Sequence, residues 1–255
     1  MKYEKVELEK DRVKIVALGD VHIGSANADL KAFEWAVNYI KEHNAKAILM
    51  GDLIDAIGPR DRRYDPFNVD RELMNVGEQF TYLEQRLETI QDNIIGSIMG
   101  NHFHKYMVSS TANEKQKIAE RLNFPFLGYR GVIELELEGG KTYSISLYHG
   151  TGGGYEMGSV VNRLRKEPRK FNCDIYLMGH SHRVFSFPAV QLYVNGGIKQ
   201  RIMHFVNTGS FLKTYEEDTS GYGEQKGYDP LPIGFSEINL SVENPPVFRD
   251  VLWYG

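Results

Sequence analysis

Hydrophobic and polar positions follow two rhythms along this chain, and the rhythm changes partway through. In the first part, "RVKIVALGD" (12–20), "AKAILMGD" (45–52) and "NIIGSIMGN" (93–101) are short apolar runs, each closed by glycine and a polar residue. They predict buried strands. Between them Leu30, Phe33, Val37 and Ile40 recur at helical spacing, with Asp29 before them and His43-Asn44 after, which predicts a helix over 29–43. A second helical stripe passes through Leu73, Val76, Phe80, Leu83, Leu87 and Ile90. The order β-α-β-α-β predicts a sheet with crossover helices.

From residue 131 the period is two. "GVIELELE" (131–138) and "KTYSISLYHG" (141–150) alternate on either side of a Gly-Gly turn and predict a hairpin. A Gly-rich loop and a helix over about 157–170 lead to a strand at 173–179. Strands interrupted by Pro188 and by the Asn195-Gly196-Gly197 turn come next, with two short strands closing the chain. Hairpins beside crossover units favour an α/β class in which two mixed sheets pack together, a four-layer α-β-β-α sandwich flanked by helices. With no linker visible, one domain is expected over 1–255.

Composition narrows this picture rather than changing it. The 255 residues are 42% hydrophobic and 25% charged, enough to bury a sizeable core. A net charge of −4 argues against a broad polyanion-binding face, while leaving room for a local basic patch. The single Cys173 excludes an intramolecular disulfide and any cysteine-built metal cluster. The first dozen residues are charged and lack a signal-peptide core, and no run approaches the roughly 18 apolar residues of a membrane span. A soluble, cytoplasmic protein without a membrane partner is expected; the oligomeric state is not legible.

The chemistry gathers at the strand ends. Asp20 and His22 stand in "GDVHIG", Asp52 and Asp55 in "GDLID", Asn101 and His102 in "GNH", His149 in "YHG", and His180 and His182 in "GHSH". Ligands of α/β sheets collect at the carboxyl edge of the strands. Carboxylate, imidazole and amide oxygen without thiolate suit manganese, iron or zinc. The set is too large for one ion with an open position and suits two ions, an arrangement fitted to hydrolysis of phosphate esters.

The ordered series D-x-H, G-D-x-x-D, G-N-H, H-G and G-H-x-H resembles the calcineurin-like metallophosphoesterase superfamily over roughly residues 13–210. The resemblance implies that Asp20, His22 and His182 hold one metal, with Asp52 as a bridge to a second held by Asn101, His149 and His180. It implies two divalent ions, manganese ahead of iron or zinc, and a hydroxide between them as the nucleophile. It also implies that His102 contacts the phosphate and protonates the leaving oxygen, with Asp55 orienting it. Asn101 then serves substrate as well as metal. The form "DVHIG" is similar to the branch of double-strand-break repair nucleases and tilts the expected substrate towards phosphodiesters of nucleotides or nucleic acid. A phosphomonoesterase, a non-catalytic scaffold and a hydrolase of non-phosphate esters are the alternatives.

Outside the motifs, Arg60, Arg62 and Arg63 lie on a loop soon after Asp55, where guanidinium forks suit phosphate. The same loop carries Asp61 and Asp65, so a solvated, self-paired loop is the competing reading. Glycines 150 and 152–154 follow His149 and offer backbone amides to an anion. One position departs from the family pattern: Phe103 stands where an acid usually follows G-N-H. His104 reads as a loop histidine and His204 as a packing histidine.

Overall fold

A computed structural model describes residues 2–59, 61, 63–110, 114–153 and 156–255. The chain opens with a strand that the apolar runs do not predict, β1 (Lys2–Leu8). Its charges hide a period-two pattern: Val6 and Leu8 turn towards the core, while Lys5 pairs with Glu7 and with Glu136 at the surface. Then come β2 (Arg12–Leu18), α1 (Leu30–Glu42), β3 (Lys46–Leu49), α2 (Val76–Glu88) and β4 (Ile94–Ser97). Both helices start where the sequence places a cap. The Asp29 carboxylate accepts from Ala32 N–H, and Asn75 and Glu78 form a capping box.

Two helices occupy a stretch where the pattern predicts none, α3 (Asn101–Ser110) and α4 (Glu114–Arg121). α3 begins inside the G-N-H motif with only Phe103, Tyr106 and Met107 at helical spacing, and α4 has only Ile118 and Ala119 as apolar residues. The remainder comprises β5 (Arg130–Leu137), β6 (Thr142–Tyr148), α5 (Met157–Leu164), β7 (Ile175–Met178), β8 (Val184–Val194), β9 (Ile198–Ser210), α6 (Tyr222–Gln225), β10 (Gly234–Ser241) and β11 (Val247–Leu252). Pro188 does not break β8. Among the described residues that strand pairs only with β9 and is an edge, where a missing N–H is tolerated.

The α/β class stands, but the two sheets are not separate. Among the described residues, hydrogen bonds run without a break through β1-β5-β6-β7-β9-β10-β2-β3-β4, with β8 on β9 and β11 on β10. The link is two residue pairs long, Gly234 with Ser210 and Phe235 with Gly209. Gly209 permits it, with φ of +87° and a Cβ that would stand 2.2 Å from the Gly234 carbonyl oxygen. No expectation built on two sheets anticipates this junction.

Three apolar clusters hold the layers. Val13, Ile15, Ile48 and Ile95 of one half-sheet meet Ile133, Leu135, Ile145 and Leu177 of the other. Phe33, Val37 and Ile40 of α1, with Phe80, Leu83 and Leu87 of α2, cover the far face of the first half. Val160 and Leu164 of α5 cover part of the second with Tyr176 and Phe205. The apolar C-terminus packs too, Trp253 lying 5.3 Å from Trp35 ring to ring. No described helix is long and apolar enough to cross a membrane.

Candidate metal centre

The parallel strands β2, β3 and β4 point one way, and the loops at their carboxyl ends carry Asp20, His22, Asp52, Asp55 and Asn101. β6 and β7, also parallel, deliver His149, His180 and His182 from the other half. Five of these residues adopt a left-handed backbone: Asp20 (φ +50°), His22 (+55°), Asp52 (+43°), His180 (+68°) and His182 (+57°). Such conformations are uncommon outside glycine and gather where function holds the chain in place. Gly100 makes room: a Cβ there would stand 2.0 Å from Asp52 Oδ1.

The first donor set is Asp20, His22 and His182. His22 Nε2 lies 3.9 Å from Asp20 Oδ1, His182 Nε2 lies 3.5 Å from it, and the two ring nitrogens are 3.3 Å apart. A triangle of that size has a circumscribed radius of about 2.1 Å, which matches the 2.0–2.2 Å bonds nitrogen and oxygen make to a divalent ion such as zinc. Asp20 is fully buried, and its Oδ1 has no hydrogen-bond partner. A buried carboxylate oxygen is costly in that condition unless a cation meets it. The residues therefore fit a metal ion.

The second set is Asp52, His149 and His180, joined by Asn101. Asp52 Oδ2 is 3.0 Å from His149 Nε2. The Asn101 amide lies 2.9 Å from His180 Nδ1 and 3.1 Å from both His149 Nε2 and Asp52 Oδ2. With its nitrogen inward this amide donates to those atoms; with its oxygen inward it joins them as a ligand.

Each donor is fixed from behind. Asp20 Oδ2 accepts from His180 N–H at 2.9 Å and Asp52 Oδ1 from His102 N–H at 2.9 Å, so each carboxylate keeps one oxygen for a cation. The His149 Nδ1–H donates to the Met50 carbonyl at 2.8 Å, and His22 Nδ1 faces Asp55 Oδ1 at 3.1 Å. Both arrangements leave Nε2 as the nitrogen free to face a cation.

Burial alone would keep these groups neutral; at Asp52 and His149 their neighbours outweigh it, and at His180 they do not. Burial opposes the charge on Asp52, yet the His149, His102 and His22 rings hold its carboxyl well below the usual carboxylate range. Burial likewise disfavours a charged His149, yet Asp52 and Asp20 raise that imidazole to about 9. Burial, and then the charge on His149, lower His180 to about 4. A proton on His149 thus stands where a cation is expected, and ligation needs the neutral ring. Adding Mn²⁺ at pH 7 is expected to release a proton, with apparent affinity rising as pH climbs towards 9. Calorimetry in two buffers of different ionisation enthalpy measures this, and the absence of release would remove His149 from the ligands.

Asp55 meets two imidazoles. Its Oδ1 lies 3.0 Å from His102 Nδ1 as well as 3.1 Å from His22 Nδ1, and its own carbonyl accepts from His102 Nδ1–H at 2.9 Å. Burial works against a charged His102, but Asp52 and Asp55 raise its pKa overall. Phe103 explains the missing acid. Its side chain is 2% exposed, edge-on to Phe80 at 5.4 Å, so this position of α3 faces the apolar core. His104 lies on α3, not in a loop, and contacts the Tyr129 hydroxyl; His204 stacks on Phe248.

Arg60 and Arg62 lie outside the described residues. The Arg63 guanidinium grips the Asp61 carboxylate through Nε at 3.0 Å and Nη2 at 2.6 Å, so part of the loop is self-paired. Its Nη1 is buried with no hydrogen-bond partner, and its charge is felt at His102.

Arg163 belongs with the site, although nothing in the motifs pointed to it. From α5 its Nη1–H groups donate to the Thr151 and Gly152 carbonyls at 2.9 and 3.0 Å. The Gly152 carbonyl also accepts from His180 Nε2–H at 3.2 Å, leaving Nδ1 for ligation. At 151–152 the Gly-rich loop thus turns carbonyls towards Arg163 and His180. Arg163→Ala is expected to weaken the second ion about 10–100-fold and leave the first unchanged, as loss of such supporting contacts does elsewhere. Metal titration calorimetry reads the two sites separately.

No known family profile and no curated protein matches the chain. Among solved structures it is similar to Yfce, a phosphoesterase from E. coli, at 17% identity over 88% of this chain and 87% of that one, with a TM-score of 0.42. A protein of Streptococcus pneumoniae described as a predicted phosphoesterase aligns at 13% identity over 94% and 98%, with a TM-score of 0.38. Wild-type Vps29 of Entamoeba histolytica, in complex with zinc, aligns at 14% over 94% and 99%, with a TM-score of 0.41. Values this low leave fold and chemistry to rest on the chain's own geometry.

Proposed function

We propose that the chain is a two-metal hydrolase of phosphate esters of the calcineurin-like kind. The observation that carries this reading is the pair of donor sets meeting at Asp20 Oδ1, which is 4.0 Å from His149 Nε2 of the second set and 3.5 Å from His182 Nε2 of the first. Asp20, His22 and His182 would hold one ion, and Asn101, His149 and His180 the other, with Asp52 between them. Divalent ions there supply a lowered pKa for water and positive charge opposite the phosphoryl oxygens.

The chain's own groups do the rest. The two Asp55 acceptors keep a proton on His102 Nδ1, so the ring can give one up from Nε2 only as the imidazolium, the form that Asp52 and Asp55 favour. His102 is therefore the acid that protonates the leaving oxygen. Arg63, already oriented by Asp61, supplies positive charge beside His102, and Arg60 and Arg62 of the same loop are the further guanidinium groups for the phosphate. A full set of ligand types at every matched position favours an enzyme over a non-catalytic scaffold. The form "DVHIG" supports a phosphodiester substrate, nucleotide or nucleic acid.

The test is hydrolysis of bis-p-nitrophenyl phosphate and p-nitrophenyl phosphate by metal-stripped protein, with Mn²⁺ titrated back. Activity on the diester that returns with metal supports the reading. Preference for the monoester transfers it to a phosphatase, and inactivity on both with metal bound refutes the enzyme.

A further inference from the structure

The hairpin of β8 and β9 carries an apolar surface that the chain leaves uncovered. Directly opposed residues of an antiparallel pair share a face. Val190 with Ile202, Leu192 with Gln200 and Val194 with Ile198 therefore line one face, while Gln191 with Arg201 and Tyr193 with Lys199 line the other. The second face is anchored at its base, where the Arg201 guanidinium donates to Asp174 at 2.8 Å and also to Asn172, while Gln191, Tyr193 and Lys199 are exposed. The first is bare, from 50% exposed at Ile202 to 84% at Val194. Its cover stops one rung lower, at Pro188 opposite His204, where the His204 ring stacks on Phe248 of β11 at 4.5 Å.

We propose that a second copy of this chain docks on this face, giving a two-fold symmetric dimer. Charge is the first reason. The ribbon's cations, Lys199 and Arg201, both lie on the inner face, so the outer face meets its own copy without like charges opposed. Its one polar side chain is Gln200, whose amide both donates and accepts and can pair with the same amide across a two-fold axis. Area is the second reason. Five aliphatic residues at these exposures, wholly covered, amount to at most about 600 Å² per copy, or about 1,200 Å² in all, the lower end of stable interfaces. A two-stranded ribbon is also marginally stable alone in water, and a partner ribbon supplies the missing layer.

Sedimentation velocity over micromolar concentrations tests this on the full chain. The wild type is expected to sediment as a dimer and Leu192→Glu as a monomer, with metal binding and phosphate-ester hydrolysis unchanged. Mixing Leu192→Glu with Leu192→Lys is expected to restore a dimer, because the opposed charges now attract. A monomeric wild type at about 100 μM overturns the proposal, as do a Glu variant that still dimerises and a monomer that instead floats with lipid vesicles.

Discussion

Asp52→Asn is expected to lower kcat/KM on a phosphodiester on the order of 10³-fold and to weaken both metal ions together, since it removes a negative charge that both donor sets feel. The carboxylate faces His149 at 3.0 Å through one oxygen and accepts from the His102 N–H through the other. It is also influenced by His22 of the first set. An amide retains the size and loses the charge. His149, raised to about 9 chiefly by Asp52 working against burial, should then titrate lower. NMR titration of that ring separates the electrostatic effect from misfolding, because an unfolded variant would show an ordinary imidazole with no metal response. Loss of one ion with the other intact would contradict Asp52 as the shared ligand.

His102→Ala is the second large effect, and its signature is opposite. The ring belongs to neither proposed ion's donor set, and the backbone N–H that holds Asp52 survives the substitution. Two bound ions should therefore remain. What should fall is kcat on esters with poor leaving groups, by about 10²–10⁴-fold, the usual contribution of a positioned acid. A p-nitrophenolate leaves without a proton, so the same variant should lose far less on that substrate. Equal loss on both would move His102 from proton transfer to structure. Equal retention would remove it from the mechanism.

Much of this site is legible in the chain because each proposed ligand follows a buried strand. Strand-ending glycines at 19, 51, 100 and 179 mark where the backbone turns out of the sheet, and the polar residues beside them are those the fold brings together. What the pattern hides has physical causes. β1 is an edge strand whose outward charges mask its alternation. α3 begins inside the G-N-H motif, so a residue read as the end of a strand is also the start of a helix whose His102 N–H donates to Asp52. Pro188 signals an interruption only if the strand is central, and β8 is an edge. Phe103 looks like a lost acid when read as a motif position and like ordinary core when read as a helix face. Arg163 acts through the Gly152 carbonyl, and a backbone acceptor leaves no residue-type signature.

The most direct measurement is a crystal structure of the protein soaked in Mn²⁺, with anomalous scattering recorded at the manganese edge. Two peaks about 3.5–4 Å apart are predicted, as in other two-metal sites. One should lie among Asp20, His22 and His182, the other among Asn101, His149 and His180, with Asp52 reaching both. A single peak at saturating metal, or none among these side chains, would contradict the dinuclear centre and the chemistry built on it.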